Sequence, residues 1–357
     1  MTKPIVSVLI DTYNQEHFIE QALASVLEQG LSPSELEIVV VDDGSTDNTS
    51  SLVAKFAPRV RYIRKENGGQ ISAYSVGFPE TSAPFVAFLD ADDWWAKGKL
   101  QAVLDVFDNE PSTTAVGHGF VRVHEQSGTS ETCVPAETYH LSLRNPEVAR
   151  FAYSGRPFLG TSKLSVRRDI LTRIGCLPDK LIFFDVPVQL LAMAFGDAVV
   201  LDQPLGFYRL HRDNLYESQS ANQQNVRRKY EILKAYLEFL PPSLGRSGVS
   251  PDTVSAVLQP DQLECERLRL VLENGWPWET FGLERMRLRR AYERYSVSYA
   301  LFKWFVLAAT LFMPPRRFYH LRDWYSEHNL RRFRKILGEP VPAPAIQAQR
   351  RKVASPQ

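Results

Sequence analysis

Short apolar runs alternate with helical patterns along the first hundred residues. Four apolar runs predict strands, at residues 6–10, 38–41, 60–63 and 85–89. Apolar residues with a helical spacing of three and four separate them and predict helices that contain residues 18–27, 52–56 and 70–76. Continuous apolar strands separated by helices are typical of a parallel sheet with both faces covered, because each strand is then buried on both sides. The pattern predicts an α/β domain.

Polar residues follow each of the three strongest strands. The three segments are Asp11-Thr12-Tyr13-Asn14, Asp42-Asp43-Gly44-Ser45 and Asp90-Ala91-Asp92-Asp93. Ligands of open α/β sheets bind outside the carboxyl ends of the strands, so we expect the three segments to meet at one crevice. A single aspartate after a strand is more often a helix N-cap, but three such ends favour a shared site.

The acidic character of this crevice indicates a metal ion. Carboxylate oxygens are suitable ligands for Mg²⁺ or Mn²⁺, and such an ion would let a diphosphate approach the acids. Asp90 and Asp92, two residues apart, can turn toward the same side, whereas Asp93 is expected to point elsewhere. These turns contain neither a P-loop nor a dinucleotide-binding fingerprint.

Composition narrows the class of protein. The chain has 357 residues, enough for roughly two domains, and a net charge of +1 with 44% hydrophobic residues. This balance excludes a disordered chain and a globally basic nucleic-acid binder. Three widely spaced cysteines fit neither a disulfide framework nor a Cys-x-x-Cys zinc site, and residues 1–14 lack the long apolar stretch of a signal peptide. A cytoplasmic protein is therefore expected.

Four segments, in order and spacing, resemble glycosyltransferase family 2. They are Ser-Val-Leu-Ile-Asp-Thr-Tyr-Asn (7–14), Val-Val-Asp-Asp-Gly-Ser-Thr-Asp (40–47), Asn-Gly-Gly-Gln-Ile-Ser-Ala-Tyr (67–74) and Phe-Leu-Asp-Ala-Asp-Asp (88–93). The resemblance covers residues 4–215. It implies a GT-A fold, in which helices flank a Rossmann-like, mostly parallel sheet. It also implies inverting transfer from a nucleotide-sugar, such as a UDP-sugar, with Mn²⁺ or Mg²⁺ as cofactor.

The resemblance assigns roles to residues of the first half. Thr12 and Tyr13 match residues that line a nucleoside pocket, and Asp43, with Asp42 beside it, matches the acid that contacts uracil or ribose. Asp90 and Asp92 match the Asp-x-Asp motif, with Asp92 on the metal and Asp90 toward the ribose. Gly68 and Gly69 are expected to allow close approach of the backbone to the donor, or else to form an ordinary turn before a helix.

The second half contains a later motif of the same family. Counting back from residues 201–205 aligns Asp185 with the family's catalytic base, although an N-cap of the following helix is the alternative. An acid among apolar neighbours should be partly desolvated, which raises its pKa. His211 closes the segment Tyr-Arg-Leu-His and matches a metal ligand or phosphate contact, unless it is structural. Two departures stand out, since Phe184 occupies the usual Glu position and Asp11 the usual Pro position.

The sequence leaves alternatives to an active transferase. A sugar nucleotidyltransferase would need a Gly-rich, basic first loop, which residues 11–14 do not provide. A catalytically impaired nucleotide-sugar-binding or assembly module is supported only by Phe184. The acceptor implied by the leading hypothesis is a hydroxyl of a glycan or lipid-linked molecule in cell-surface polysaccharide assembly.

Composition shifts after about residue 220 and suggests three regions. Residues 1–220 would form the catalytic domain, with a nucleotide-sugar half (1–110) and an acceptor half (111–220), followed by a helical region (221–338) and a disordered tail (339–357). A helix containing residues 230–240 is expected to end at Pro241-Pro242.

A basic and partly apolar segment lies within the last third. The apolar stretch 299–313 is too short to span a bilayer, so it either packs on its own domain or lies in a membrane interface. Residues 314–352 hold ten Lys or Arg against three acids. Contact of residues 296–352 with an anionic membrane at the inner face is therefore one expectation, whereas no nucleic-acid motif accompanies the charge.

Overall fold

The computed structural model describes residues 3–144, 149, 152, 156–211, 223–291 and 297–327. Ten strands of this part form one sheet: β1 (Val6–Thr12), β2 (Leu36–Asp42), β3 (Arg61–Arg64), β4 (Phe85–Asp90), β5 (Trp94–Trp95), β6 (Thr113–His124), β7 (Thr129–Cys133), β8 (Tyr139–Leu141), β9 (Ser165–Arg167) and β10 (Asp197–Leu210). Their order is β3-β2-β1-β4-β9-β6-β10-β5, with β7 beside β6 and β8 beside β10.

Helices connect and follow these strands. Their bounds are α1 (Ile19–Leu27), α2 (Thr49–Ala54), α3 (Gln70–Gly77), α4 (Lys99–Asn109), α5 (Arg168–Ile174), α6 (Asp185–Phe195), α7 (Gln223–Arg246), α8 (Pro251–Glu273), α9 (Pro277–Ala291), α10 (Val297–Ala309) and α11 (Pro315–Glu327). Short 3-10 turns occur at Phe78–Glu80, Arg156–Leu159 and Thr161–Lys163. The four strands and three helices predicted for the first hundred residues are confirmed, although α2 ends at Ala54, before the predicted Phe56.

The sheet is parallel in its first half and mixed as a whole. Strands β3, β2, β1 and β4 run parallel, as the apolar runs predict. Strand β9 then pairs antiparallel with both β4 and β6, while β6 and β10 are again parallel. The α/β class is confirmed, and the antiparallel β9 joins the two parallel groups into one sheet.

The main core lies between the parallel strands and α1. The helix buries the face formed by Ile19, Ala22, Leu23 and Val26, which are all fully buried. This face belongs to one cluster with β1, β2 and β4 side chains such as Val8, Ile38 and Leu89. Packing in this cluster holds β1, β2 and β4 together, so the residues that follow these strands lie at one edge of the sheet.

The described residues fall into two compact units. The first contains those up to residue 211 and Phe239–Val257, and the second contains residues 223–238 and those from Leu258 onward. Helix α7 runs through Pro241 and Pro242 to Arg246, so the expected stop at these prolines is wrong. Leu240 and Leu244, on either side of the prolines, are both fully buried, and such burial offsets the lost backbone hydrogen bonds. The predicted tail 339–357 lies outside the described residues.

Candidate functional site

The register of the parallel strands brings the polar strand ends together. Asp11 of β1 stands opposite Asp90 of β4, and Thr12 stands opposite Asp42 of β2. The backbone amide of Asp43 also donates to the carbonyl of Thr12 at 2.8 Å. The three segments that follow the strands therefore meet at one edge of the sheet, as expected from the sequence.

Three carboxylates form a tight cluster at this edge. Asp90, Asp92 and Asp93 each place one oxygen so that all three oxygens lie within 4.8 Å of one another. The expectation that Asp93 points elsewhere is wrong. The backbone amide of Arg209, on β10, donates to Asp93 Oδ1 at 2.9 Å and keeps this carboxylate beside the other two.

Crowding and loss of hydration change the protonation of these acids. Desolvation, followed by the charge of Asp92, raises the pKa of Asp93 to about 7. Desolvation also raises the pKa of Asp11 to about 6, and desolvation together with the charge of Asp11 raises that of Asp90 well above its usual value. Three close carboxylate oxygens fit a hard divalent cation. A cation that binds there must displace protons, so its affinity should rise with pH.

His211 lies at the end of β10 against the acid cluster. Its Nε2 atom is 3.0 Å from Asp92 Oδ2, and its side chain is only 5% exposed. The ring also contacts Phe18, with 5.0 Å between the ring centroids. The structure thus places His211 beside Asp92, the acid that the sequence assigns to the metal.

Asp185 is the first residue of α6 and adjoins the same cluster. Gln70, at the start of α3, donates from Nε2 to Asp90 Oδ1 at 2.9 Å and accepts from the backbone amide of Phe184 at 3.1 Å. One side chain therefore joins the Asp90 carboxylate to the residue that precedes Asp185. The Asp185 carboxylate accepts from the backbone amide of Val186 at 2.8 Å, and desolvation raises its pKa.

Asp11 and Phe184, the two departures from the family pattern, both contact Tyr74. The hydroxyl of Tyr74 donates to Asp11 Oδ1 at 2.6 Å, and its ring centroid lies 4.5 Å from that of Phe184. Phe184 also packs against Phe88 at 4.6 Å and is 8% exposed. The ring at the usual Glu position therefore completes an aromatic cluster, while the extra acid at Asp11 has a buried hydroxyl as its partner.

The nucleoside side of the predicted site is formed by the ends of β1 and β2. Thr12 is 2% exposed, and its Oγ1 atom has no hydrogen-bond partner among the described residues. Tyr13 beside it is 46% exposed. Both oxygens of Asp42 are engaged inside the protein, with the Tyr62 hydroxyl at 2.5 Å and the Ser45 amide at 2.7 Å. Direct contact of Asp42 with a ligand stays a prediction.

Asp43 organises the glycine loop that precedes α3. Its carboxylate accepts from the amides of Gly68 at 3.0 Å and Gly69 at 2.7 Å and from Lys65 Nζ at 2.6 Å. A Cβ on Gly68 would stand 2.7 Å from Ser72 Oγ, and Gly69 has a φ of +85°. Both glycines thus serve the turn itself, and their contact with a donor stays a prediction. An open groove of about 500 Å³ lies beside the loop, lined by Gly44, Arg64, Lys65, Glu66 and Asn67.

Several side chains of the site were not identified from the sequence. Gln70 and Tyr74 occur in the third family-like segment, and their spacing of four places both on one face of α3, which is a usable signal. Ser162 shares a hydrogen bond with the Asp90 carboxylate at 3.2 Å, and Lys163 follows it. No local pattern distinguishes these two, because they reach the site through the pairing of β4 with β9.

Comparison with known proteins identifies the family. The model for Glycosyl transferase family 2 matches residues 7–175. An uncharacterized glycosyltransferase of a Nostoc species is 32% identical over 293 residues, which cover 79% of this chain and 88% of the relative. The uncharacterized glycosyltransferase EpsJ of Bacillus subtilis is 29% identical, with 65% and 70% of the two chains covered.

Solved structures agree on the fold. S. aureus TarS 1–349 in complex with UDP has a TM-score of 0.53 at 19% identity and covers 91% of this chain and 92% of its own. The mannosyltransferase PcManGT of Pyrobaculum calidifontis, in complex with GDP-Man and Mn²⁺, has a TM-score of 0.54 at 22% identity, with 90% and 85% covered. The chain is therefore a glycosyltransferase that belongs to family 2 and has the GT-A fold.

Proposed function

We propose that this protein is a metal-dependent, inverting glycosyltransferase. It would move a sugar from a nucleotide-sugar, a UDP-sugar in our proposal, to a hydroxyl of a glycan or lipid-linked acceptor in cell-surface polysaccharide assembly. One observation carries the proposal: Gln70 joins the Asp90 carboxylate to the backbone beside Asp185, so the acid cluster and the candidate base border one space. The neighbouring structures with UDP and with GDP-Man and Mn²⁺ support a nucleotide-sugar donor and a divalent metal.

The acid cluster would hold the cation. Asp90, Asp92 and Asp93 offer three close oxygens, and His211 lies beside Asp92, a set that suits Mn²⁺ or Mg²⁺. Such an ion supplies Lewis-acid stabilisation of charge on a leaving diphosphate, worth several kcal/mol. Thr12 and Tyr13, at the end of β1, would contact the nucleoside, with Asp43 beside them.

Asp185 would act as the general base. Its carboxylate accepts the proton of the acceptor hydroxyl while that oxygen bonds to the anomeric carbon, and the bond to the diphosphate breaks on the opposite face. A single displacement of this kind inverts the anomeric configuration. Desolvation raises the pKa of Asp185 and so makes its carboxylate a stronger proton acceptor.

The impaired-module alternative has little support in the geometry. Its one argument is Phe184, whose ring packs with Tyr74 and Phe88 in the aromatic cluster. The substitution at position 184 leaves Asp185 at the start of α6, next to the acid cluster. A module of this kind would bind a nucleotide-sugar without turning it over.

Ligand-dependent stability tests the proposed function. We expect one class of nucleotide-sugar to raise the thermal unfolding midpoint in the presence of Mn²⁺ and to have little effect in the presence of EDTA. At 100 times its dissociation constant a ligand adds about 2.7 kcal/mol to the free energy of unfolding. The stabilising donor is then incubated with glycan and lipid-linked acceptors, and proton NMR reports the anomer formed. A retained configuration, or no stabilisation by any nucleotide-sugar, would contradict the proposal.

An exposed apolar stripe on the second unit is the candidate membrane contact. We define the apolar stripe as Leu301, Trp304, Phe305 and Phe312, which are 66%, 49%, 73% and 87% exposed. Leu301, Trp304 and Phe305 lie on α10 and Phe312 lies in the turn that follows it, while Leu307 of the same helix is 2% exposed. Within the described ranges, no helix is both long enough and apolar enough to cross a membrane.

We propose that the apolar stripe lies in the interface of an anionic membrane, at the inner face. Arg316 and Arg317 are exposed next to the stripe, and an exposed Lys or Arg near an anionic leaflet contributes about 1 kcal/mol to binding. An amphipathic helix with Trp and Phe on one side and basic residues nearby is typical of peripheral membrane attachment. Residues 328–352 of the predicted contact lie outside the described residues.

Liposome flotation measures this contact. We expect the full chain to float with vesicles that contain phosphatidylglycerol and to float less with phosphatidylcholine alone. The triple variant Leu301→Ser, Phe305→Ser and Phe312→Ser should lose most of this binding, because each exposed apolar side chain contributes roughly 1.5 to 3 kcal/mol when fully buried. The matched control Met286→Ser changes a side chain that is 52% exposed outside the stripe and should float normally. Equal flotation of the triple variant and the control would rule out the stripe.

A further inference from the structure

Lys163 is a buried cation near the candidate base. The residue is 8% exposed, and its ammonium nitrogen lies 4.5 Å from the centroid of the Phe120 ring and 5.0 Å from that of Tyr208. Aromatic faces attract an ammonium group that has lost part of its hydration shell. The two rings therefore hold the Lys163 side chain in one place, although no role for it followed from the sequence.

Gly160 brings this ammonium close to the candidate base. A Cβ on Gly160 would stand 3.2 Å from Lys163 Nζ and 3.5 Å from Asp185 Oδ2, so both charged atoms lie within 3.5 Å of one point. The amide of Lys163 donates to the carbonyl of Gly160 at 2.8 Å, which turns the side chain back over the glycine. Because Gly160 has no side chain, the space beside it is open to both the Lys163 ammonium and the Asp185 carboxylate.

Charged groups near Asp185 change the pKa of its carboxyl. Desolvation raises the pKa of this carboxyl, whereas the backbone amide of Val186 and then the positive charges of Lys163 and Arg156 partly offset the rise. The negative charge of Asp185 in turn contributes to the raised pKa values of Asp90 on β4 and Tyr74 on α3, so both groups lie near it. The charge of Lys163 also partly offsets the rise that desolvation and Asp92 cause in the pKa of Asp93, so the ammonium lies near both the base and the acid cluster.

We propose that Lys163 is a positioning residue, whose ammonium, caged by two aromatic rings, holds the Asp185 carboxylate in its charged form and in place for the acceptor hydroxyl. The inference rests on the proposed role of Asp185 as the general base. A partly buried carboxylate next to further acids would otherwise take up a proton and could not accept one from the acceptor. Lys163 offsets this tendency with a fixed opposite charge.

The pH dependence of transfer tests the inference. In Lys163→Met we expect kcat near neutral pH to fall roughly tenfold, which is a part of the 10² to 10⁴ that general-base help contributes. The acid limb of the kcat profile should move to higher pH, so that alkaline buffer restores part of the rate. The donor KM should stay within about twofold, since only the chemical step loses support. Lys163→Arg should keep most of the rate, and Lys55→Met, at an exposed ion pair with Glu20, should behave like the native chain.

Two results would overturn the role of Lys163. A fall in kcat of the same size at every pH would mean a merely structural side chain. A raised donor KM with an unmoved acid limb would mean that the ammonium binds the donor instead. Gly160→Ala provides a second variant that retains the lysine charge but places a Cβ 3.1 Å from Lys163 Cε, so the end of the lysine must shift by a few tenths of an ångström. It should move the acid limb in the same direction as Lys163→Met, by a smaller amount.

A measurement without turnover separates this inference from the proposed function. Selective carbon-13 labelling of aspartate carboxyls reports their titration by NMR, and Asp185→Asn assigns the Asp185 signal by its loss. We expect Lys163→Met to move the midpoint of that signal to higher pH in the metal-free protein. An unmoved midpoint overturns the role of Lys163 even in an active enzyme. Absence of transfer by the native chain would instead count against the proposed function.

Discussion

Replacing Asp92 with alanine is expected to abolish metal-dependent binding of the donor. Asp92 supplies one of the three clustered carboxylate oxygens and is the contact of His211, so its loss removes both an oxygen ligand and the partner of the imidazole. Loss of a bound cation removes several kcal/mol of charge stabilisation. A loss of about 3 kcal/mol corresponds to a dissociation constant that is more than 100-fold larger. Titration calorimetry with the stabilising nucleotide-sugar, in Mn²⁺ and in EDTA, measures the difference.

A matched control is available on the surface of α4. Asp108→Ala removes an exposed carboxylate at a distance in sequence from the cluster and should bind donor and metal like the native chain. In EDTA, the native chain and Asp92→Ala should bind the donor equally weakly. Tight, Mn²⁺-dependent binding by Asp92→Ala would remove this residue from the metal site.

Replacing Asp185 with asparagine is expected to separate binding from chemistry. The amide has nearly the same size and can retain the contact with the backbone of Val186, but it cannot accept a proton. Donor affinity should therefore stay close to that of the native chain, while kcat falls by at least about 10² because general-base help is lost. Calorimetry gives the first quantity, and initial rates of transfer at saturating donor give the second.

Asp179→Asn is the matched control for this change. Asp179 is exposed and precedes α6 in the same segment, so its neutralisation should leave both affinity and turnover unchanged. If Asp185→Asn turned over at the native rate, another group would have to accept the proton. The opposite pattern for Asp92→Ala, in which binding itself is lost, makes the two roles distinguishable in one assay.

The fold of the first half could be predicted because its strands carry local signals. Residues 6–10, 38–41 and 85–89 are continuous apolar runs, and burial on both faces of a parallel sheet requires such runs. The antiparallel pairing of β9 could not be foreseen, since its three residues pair with β4 and β6, which lie far apart in sequence. A local pattern can indicate a strand, but it does not show which distant strands lie beside it.

The site could be predicted to the extent that its residues follow strands. Asp90 and Asp92 follow β4 directly, so their position at the sheet edge is a consequence of topology. The direction of Asp93 was predicted wrongly because it depends on the backbone amide of Arg209, which is 116 residues away. A spacing of two along the chain indicates one face only while the strand continues, and the turn after Asp90 ends that regularity.

Side chains that link the two halves of the site could not be read from the sequence. Gln70 contacts both Asp90 and the backbone of Phe184, which is 114 residues away, and the Lys163 ammonium and the Asp185 carboxylate both lie beside Gly160. Both contacts depend on how α6 and the turns before it pack against the sheet. The residue types alone do not indicate a role in the site, since a lone Gln or Lys is most often exposed to solvent.

In the proposed enzyme the acid cluster and Asp185 act on one donor in one cavity. Crystals grown with Mn²⁺ and UDP would reveal this arrangement, because anomalous scattering locates manganese without reference to the surrounding atoms. We expect one strong manganese peak among the carboxylates of Asp90, Asp92 and Asp93, with the diphosphate against it and Asp185 lining the same cavity. A manganese ion bound elsewhere, or a nucleotide in a cavity that Asp185 does not reach, would mean that the two groups do not share a donor.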